Sequence, residues 1–458
     1  MLTQGQRRGL TSRHPILMPQ VIKMPIRPIV LSIAAAAGTL SAIFLWSSHD
    51  APAMKTLQSF NESEKCMPLI QETVDQVALF HLNCSRAAHA NEARPVYLTE
   101  KFSMPEGMIA RRAKFWRRVF GLWSTDEFVL HSSVYPEVVL EFGTPSHDEE
   151  ATRKETRKIR KVMNARRRAY RQVLRKMAQQ PESQWTAEMQ RIAGLMSHIE
   201  DPKKFQVAAR SLRIQRGQRE YFQKGVTTSK RYLSHIKKHF REEGVPEELA
   251  YIAFIESSFN LNARSKVGAS GIYQIMPFTG KSLMRITRNI DERSDPIKAG
   301  HAAARIFKSN YKMTGTWPLA ITSYNHGPYS IKKAIKRLGT TDMETIIRKY
   351  RRKSFGFASK NFYPEFLGIL SVIQNDVPNM NIPDAEPIEF RSVTLERPRR
   401  VRWVRNQHLV SNSDITALNP DLNPRAVRRN MRLPRGYTIK LPISKPTADI
   451  KTLTGSDE

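Results

Sequence analysis

The feature that most constrains the fold of this chain is an apolar run that ends in an acid. Residues Leu249–Ile255 (LAYIAFI) are seven apolar residues in a row, and Glu256 follows directly. A helix that is apolar on every side must be buried, and the preceding residues 244–248 (GVPEE) place Pro and two acids where a helix start favours them. The run therefore predicts a buried helix that ends near Ser257 or Ser258.

The position of Glu256 in that helix predicts unusual acid–base chemistry. It lies at the negative end of the helix dipole, and its neighbours three and four positions away include no Lys or Arg, being Ile252, Ala253, Phe259 and Asn260. Desolvation and the dipole both disfavour the carboxylate, so we expect its pKa to rise. A carboxyl group that stays protonated is a suitable general acid for glycosidic-bond cleavage. The alternative is a terminal Glu that simply reaches solvent.

Composition narrows the class of protein. The chain has 458 residues, of which 40% are hydrophobic, and a formal net charge of +32. This hydrophobic content excludes a wholly disordered chain, and the charge indicates an anionic partner such as nucleic acid, a membrane surface or an acidic polymer. Two cysteines exclude both a multi-bridge scaffold and a four-thiolate zinc site.

The N-terminus predicts export. Residues Ile29–Trp46 are 18 residues without a charge, preceded by five basic residues and by no acid. At about 27 Å the run is long enough to cross a bilayer, and its basic flank should stay in the cytoplasm. It is either an uncleaved anchor or a signal peptide cut after residues 51–53 (APA); the remaining alternative is a buried core helix. Export places the chain in the periplasm or cell envelope and disfavours nucleic acid as its partner.

Cys66 and Cys84 form the candidate disulfide of an exported protein. A bridge across the residues between them adds about 3 kcal/mol in the chain-entropy model. The alternative is a pair of buried free thiols.

A basic helix is predicted in the middle of the chain. Residues 153–176 carry twelve Lys or Arg and one acid, Glu155. The helix follows a β-rich patch at residues 127–143 and precedes more helix through Arg241 without strand-like alternation. Its basic face is either solvated or lies along an anionic polymer or phospholipid headgroups. The apolar positions that recur every three or four residues are Ile159, Val162, Ala165, Ala169, Val173 and Met177.

Four short motifs around and after Glu256 resemble one known family. Residues 257–260 (SSFN), 263–265 (ARS), 268–277 (GASGIYQIMP) and 322–327 (TSYNHG) occur in the order and at the intervals of the soluble lytic transglycosylase (SLT) domain. The resemblance covers about residues 230–375 and is greatest to the membrane-bound murein transglycosylase D type. Each motif alone is weak, but four in register are specific.

The resemblance implies roles for individual residues. Glu256 is the single catalytic acid and later the base. Tyr273 replaces the usual Met or Trp, and its ring is expected to pack on a sugar face. Structural alternatives stay open: a loop-fixing amide for Gln274 and ordinary core for Tyr324 and Met276. The implied substrate-binding residues are Ser257, Ser265, Tyr273, Gln274, Met276, Tyr324, Asn325 and Tyr363.

The number of carboxylates indicates the reaction. A two-carboxylate hydrolase needs a second acid across the sugar, but the motifs contain none, and Asp291, Glu292 and Asp295 are predicted in a loop and helix start. The resemblance implies a lyase: one acid cleaves the bond between N-acetylmuramic acid and N-acetylglucosamine without water, and the muramic C6 hydroxyl closes a 1,6-anhydro ring. No cofactor is expected, and no paired His/Cys/Asp cluster predicts a metal.

The C-terminal residues 388–442 resemble a degenerate LysM module, which binds glycans containing N-acetylglucosamine. The resemblance rests on three segments: the strand-like FRSVTL, a helix followed by Asn-Pro, and LPRGYTIKLP. The unit is unusually basic, with eleven Arg and three acids over residues 391–435. Simple electrostatic adhesion to an anionic wall is the alternative.

The expected fold is mainly α: a lysozyme-like domain with an N-terminal helical extension and a small C-terminal α+β LysM-like module. Helices are expected at residues 298–313 and 328–338 within the catalytic domain. The expected segments are 1–53, a basic segment with anchor or signal peptide; 54–150, of unassigned role; 151–229, basic and helical; 230–376, the SLT domain; 377–387, a linker; 388–445, the wall-binding module; and 446–458, a tail.

The expected function is thus a peptidoglycan lytic transglycosylase that acts on glycan strands, with the membrane as a second partner through residues 29–46. Rival functions are a wall-binding structural protein with a degenerate catalytic domain, a muramidase with hydrolytic products, and a nucleic-acid binder. Oligomeric state has no signal in the sequence.

Overall fold

The computed structural model describes residue 99, residues 101–145 and residues 152–443. These residues form sixteen α-helices and seven short strands, so the mainly α prediction is confirmed. Within the described ranges, no helix combines the length and the apolar character needed to cross a membrane. The apolar run at residues 29–46 and the candidate disulfide of Cys66 and Cys84 lie outside the described residues.

The N-terminal part is a small sheet covered by helices. Its central strand β1 pairs antiparallel with β2 on one side and β3 on the other, which confirms the predicted β-rich patch. In chain order the elements are α1 (Gly107–Arg117), β1 (Phe128–Ser132), β2 (Val139–Gly143), α2 (Arg153–Met177), α3 (Ala187–Leu195), α4 (Lys204–Ser211) and β3 (Leu212–Arg216).

Strand β3 corrects the expectation of uninterrupted helix through Arg241. The segment LRIQR carries no clean alternation, yet it pairs with β1 from Leu212 to Arg216. A central strand supplies hydrogen-bond partners along its whole edge, and this tertiary pairing overrides the weak local preference of the segment.

The basic helix α2 is confirmed, but its buried face differs from the predicted one. It begins with a capping box between Thr152 and Glu155. Ala165 is exposed, whereas Arg166 lies on the buried face with its Nε 3.5 Å from a carboxylate oxygen of Glu141. Hydrophobicity alone would place Arg166 on the exposed face, but its ion pair with Glu141 accompanies its burial. The buried stripe is Ile159, Met163, Arg166, Tyr170, Leu174 and Met177.

The middle of the chain is a helical body with one large core. The predicted helix at residues 328–338 has those bounds in the structure, and the one at 298–313 lies within a longer helix. The elements are α5 (Arg219–Lys230), α6 (Leu233–Glu242), α7 (Ile252–Ser257), α8 (Pro277–Lys281), α9 (Pro296–Thr314), α10 (Trp317–His326), α11 (Pro328–Leu338), α12 (Met343–Lys349) and α13 (Phe357–Ser371).

Helix α1 belongs to the same core although it lies far away in sequence. Gly368 of α13 lets the two helices approach closely, since a Cβ there would stand 2.9 Å from the Ala113 carbonyl oxygen and the Arg117 nitrogen. Residues 102–123 and 222–372 contribute to one hydrophobic cluster. The predicted segment boundaries stay predictions, but the helical body draws on residues before its expected start.

The C-terminal unit has its own small core. Strand β4 pairs antiparallel with β7, β5 pairs with β6, and three helices lie between the first and last strands. Tyr437 and Ile439 are fully buried in this core. The elements are β4 (Arg391–Thr394), β5 (Arg399–Arg400), α14 (Val401–His408), α15 (Asn412–Leu418), α16 (Pro424–Arg428), β6 (Arg432–Leu433) and β7 (Thr438–Leu441).

Candidate active site

Glu256 lies in the last turn of α7, as the sequence predicts. A 3₁₀ turn at residues 247–251 leads into the helix, and the helix ends because Ser258 adopts a left-handed conformation with φ 50°. Phe259 is also left-handed, with φ 56°, and its ring is buried. The chain therefore turns sharply one residue after Ser257 and leaves Glu256 half-buried beside the turn.

Ser257 ties the end of α7 to the glycine-rich loop. Its hydroxyl donates to the Ile272 carbonyl at 2.9 Å and accepts the Asn260 amide at 3.1 Å. Both contacts hold the backbone of neighbouring residues. Direct contact of Ser257 with substrate stays a prediction.

The loop of residues 263–276 is folded on itself by its own polar groups. The Ser265 hydroxyl accepts the Ala269 amide at 2.9 Å, and the Ala269 carbonyl accepts the Ser265 amide at 2.9 Å. Gly271 has φ 77°, and a Cβ there would stand 1.7 Å from the Arg293 carbonyl oxygen. Only glycine fits this position. The polar contacts of Ser265 fix the loop, and its predicted substrate contact stays a prediction.

Gln274 uses its amide nitrogen to fix the same loop. It has φ 46°, and its Nε2 donates to the carbonyls of Gly271 at 2.9 Å and Ala263 at 3.1 Å. This geometry is the loop-fixing alternative considered for that residue. The amide oxygen makes no hydrogen bond to the described residues, so it is free to accept one from a bound molecule. Met276 follows, half-buried, at the start of α8.

Tyr273 is a core residue, which corrects its assignment as a sugar-stacking ring. The side chain is 0% exposed, and its hydroxyl donates to the Ala250 carbonyl at 2.9 Å. A ring that is buried beside the 3₁₀ turn before α7 offers no face to a sugar. The sequence before Gln274 does not indicate which side chains of the loop point inward. Their direction is set by the left-handed backbone at Gly271 and Gln274.

Tyr324 of α10 joins the loop to the acid. Its hydroxyl donates to the Tyr273 carbonyl at 2.8 Å, and its ring stacks on Phe307 with centroids 4.8 Å apart. Burial raises the pKa of Tyr324 well above its usual value, and the negative charge of Glu256 raises it further. The Tyr324 hydroxyl therefore lies within electrostatic reach of the Glu256 carboxylate.

The turn between α10 and α11 is anchored to α13. Ser359 donates to the Asn325 side-chain oxygen at 2.9 Å, and its oxygen lies 3.2 Å from His326 Nδ1. His326 is buried, and its ring packs edge-on against Phe355. Burial also lowers the pKa of His326.

Tyr363 lies on α13, which packs against both α7 and α10. It is 6% exposed, and burial raises its pKa to about 12. Its neighbour Phe362 stacks on Tyr324 with centroids 6.3 Å apart. Helix α13 thus packs against Tyr324 through Phe362. A direct role of Tyr363 in substrate binding stays a prediction.

The three acids that follow Glu256 in sequence are engaged elsewhere. Asp291 binds Arg293 at 2.9 Å, Glu292 lies 3.3 Å from Lys298, and Asp295 caps α9. Their placement in a short turn and helix start confirms the sequence prediction. Asp295 also pairs with Lys440, so each of these carboxylates is held by a cation and none is a free second acid. Among the described residues, no group of three or more His, Cys, Asp or Glu is arranged to hold a metal.

Two exposed aromatic residues were missed by the sequence analysis. Phe278 is 92% exposed and Tyr329 is 74% exposed, far more than other large apolar side chains of this body. Each follows a proline that begins a helix directly after a site motif, α8 in one case and α11 in the other. An aromatic placed just after a motif proline is the signal that could have found them.

Comparisons with known proteins find similarity over part of the chain. Residues 234–347 match the family model described as the transglycosylase SLT domain. The membrane-bound lytic murein transglycosylase D of Escherichia coli strain K12 is 31% identical over 153 residues, which are 31% of this chain and 32% of that protein. The chain therefore matches about a third of the length of this curated relative.

Two solved structures of lytic transglycosylases also align with part of the chain at low similarity. Slt of Pseudomonas aeruginosa aligns at 17% identity and TM-score 0.28, covering 44% of this chain and 30% of that one. The 70 kDa soluble lytic transglycosylase of Escherichia coli aligns at 17% identity and TM-score 0.27, covering 50% and 37%. Residues 234–347 of this chain are thus similar to the transglycosylase SLT domain.

Proposed function

We propose that this chain is a lytic transglycosylase of the cell envelope that cleaves peptidoglycan glycan strands, with Glu256 as its acid and base. The observation that supports this most is the frame around Glu256. Ser257 holds the Ile272 carbonyl, and Tyr324 holds the Tyr273 carbonyl beside the acid. Both contacts join residues of the motifs that the SLT family model matches.

In the proposed reaction Glu256 first donates its proton to the glycosidic oxygen between N-acetylmuramic acid and N-acetylglucosamine. The 2-acetamido group of the muramic residue stabilises C1 as the bond breaks. Glu256 then accepts the proton of the C6 hydroxyl, and the C6 oxygen forms a bond to C1. Glu256 donates one proton and accepts one in return, and no water is consumed, so one carboxylate suffices.

Phe278 and Tyr329 extend the proposed site as sugar platforms. An exposed ring offers its face to the apolar face of a pyranose, as aromatic rings do at many binding surfaces. We expect Phe278→Ala and Tyr329→Ala each to raise KM for glycan strands with little change in kcat. Leu409→Ala is the control, since Leu409 is 83% exposed in the C-terminal unit. An unchanged KM in both aromatic variants contradicts this assignment.

The C-terminal unit supports a second, non-catalytic attachment to the wall. Its strands β4 and β7 pair antiparallel, and its arginines are mostly exposed. We assign it glycan binding of the LysM type assisted by charge. The membrane anchor predicted at residues 29–46 would likewise suit a protein of the cell envelope.

The test of the function is Glu256→Gln, which keeps the shape of the side chain and removes its acid. Purified sacculi are digested with the wild type and the variant, and the released muropeptides are quantified. We expect the variant to lose about 10² to 10⁴ in rate, as for removal of a general acid. No release by the wild type favours the rival function, a wall-binding structural protein, and equal substantial release by both proteins rules out Glu256 as the acid.

A further inference from the structure

The helical body and the C-terminal unit meet at a locked junction. Lys298 at the start of α9 binds Asp421 at 2.7 Å, and the Tyr437 hydroxyl donates to the same carboxylate at 2.8 Å. Asp295 is fully buried and pairs with Lys440 at 2.5 Å. Charges that are buried and paired in this way hold two surfaces in one relative position, because separating them leaves a charge without its partner.

The backbone continues the junction. The Asp291 amide donates to the Asp421 carbonyl at 2.8 Å, and the Asn423 amide donates to the Asn289 carbonyl at 2.9 Å. Ile290, from the helical body, is buried in the hydrophobic cluster of the C-terminal unit. The C-terminal unit is therefore held in one position against the helical body and is not a freely tethered module.

A cavity of about 250 Å³ lies at this junction and takes its lining from both units. Arg264, Arg288 and Ser294 line it from the helical body, and Asn423 lines it from the C-terminal unit. Arg264 stands between Ala263, whose carbonyl accepts the Gln274 amide, and Ser265. Arg264 therefore belongs both to the lining of the cavity and to the loop of residues 263–276 that frames the candidate active site.

The uncompensated charge in the cavity is positive. Its two acidic residues are neutralised, Asp291 by Arg293 at 2.9 Å and Asp421 by Lys298. Arg264 and Arg288 are exposed and form no ion pair with any residue that the structure describes. The Arg264 side chain donates to the Ser294 hydroxyl at 3.4 Å. Two guanidinium groups at one cavity fit a carboxylate, which they can bind through paired N–H donors.

We propose that this junction cavity is a subsite for a carboxylate of the peptide branch that extends from the glycan strand. The inference rests on the proposed function and names the part of the substrate that the second unit helps to recognise. Peptide branches of peptidoglycan carry free carboxylates close to the muramic residue that is cleaved. The subsite would make the enzyme prefer strands that still carry peptides.

The test measures binding in the Glu256→Gln full-length chain, so that ligand is not consumed. The probes are a peptide-bearing glycan tetrasaccharide and the same molecule with its peptide carboxylates converted to amides. We expect Arg264→Gln with Arg288→Gln to weaken binding of the carboxylate form about tenfold, the effect of losing charge-assisted hydrogen bonds, and to leave the amidated form unchanged. Arg305→Gln with Lys332→Gln removes the same charge from exposed positions of α9 and α11 and is the control.

Equal weakening for both ligands, no weakening, or the same loss in the control pair each overturns the subsite. So does an absence of preference for the carboxylate form in the starting protein. Because binding is measured without turnover, failure of the subsite leaves the proposed function intact. Failure of the proposed function appears separately, as absence of cleavage by the chain with Glu256 in place.

Discussion

At the scale of single residues, the acid is positioned by strained backbone. Within the described ranges five non-glycine residues have positive φ, and Ser258, Phe259 and Gln274 are three of them. Such conformations persist where surrounding structure enforces them, and they cluster at functional sites. Gly225 of α5 permits the close packing of this helix against the first of these residues, since a Cβ at position 225 would stand 2.3 Å from the Ser258 carbonyl oxygen.

Gly225→Ala therefore tests the positioning of Glu256 without touching it. The added methyl must displace the turn after α7, and we expect a loss of about 1–3 kcal/mol in the free energy of unfolding together with a lower kcat. Denaturant titration and muropeptide release measure the two effects. Gly194→Ala is the matched control, because nothing lies within 4 Å of its added Cβ. A Gly225→Ala protein as stable and active as the wild type contradicts this account.

Tyr324→Phe tests the contact that joins the loop to the acid. The substitution leaves the Tyr273 carbonyl without its donor at 2.8 Å, and we expect a cost of about 1–3 kcal/mol in stability and a lower kcat. Tyr329→Phe removes a hydroxyl from an exposed ring and should leave stability unchanged. If both variants unfold at the same denaturant concentration, the Tyr324 hydroxyl does not hold the loop.

At the scale of elements, the helices and strands that were predicted correctly are those whose bounds the local sequence determines. The end of α7, the bounds of α11 and strands β1 and β2 follow from apolar runs, a Pro start and β-branched residues. Strand β3 did not, because its partner β1 lies about 80 residues away and supplies the pairing. The inward face of Tyr273 was missed for a related reason, since left-handed turns set the loop.

Strand β1 also carries a pH-sensitive group. Burial lowers the pKa of His131 from 6.5 to about 3. Between these values the unfolded chain binds a proton that the folded chain excludes, so the stability from this group is complete above pH 6.5 and falls as the pH decreases.

We expect the wild type to lose about 2 kcal/mol of unfolding free energy through this residue between pH 7 and pH 5. His131→Leu removes the titrating group and should flatten the pH dependence by that amount. Denaturant titrations of both proteins at the two pH values measure the difference. An identical loss in the variant shows that other groups cause the acid sensitivity.

At the scale of the whole molecule, the arrangement of units could not be read from the sequence. The motifs predicted the region that matches the SLT family model, because those residues are local in sequence. The packing of α1 on α13 and the junction of the two units depend on contacts between residues that are 100 to 250 positions apart, such as Lys298 with Asp421. No periodicity signals such pairs.

Lys440→Met tests the junction directly. It leaves Asp295 buried without its cation, and we expect a loss of about 3–5 kcal/mol. Asp295→Asn combined with Lys440→Met removes both charges and should recover most of that loss. Thermal unfolding and limited proteolysis between residues 380 and 390 report the change. Equal stability of the single and double variants contradicts a locked junction.

The central claim is that a single carboxyl, Glu256, cleaves glycan strands without water. The most direct measurement is the mass of the products released from purified sacculi by the full chain. The account predicts muropeptides that end in 1,6-anhydro-N-acetylmuramic acid, each lighter by one water molecule than a hydrolytic product. Products with a free reducing end would contradict it and identify a muramidase.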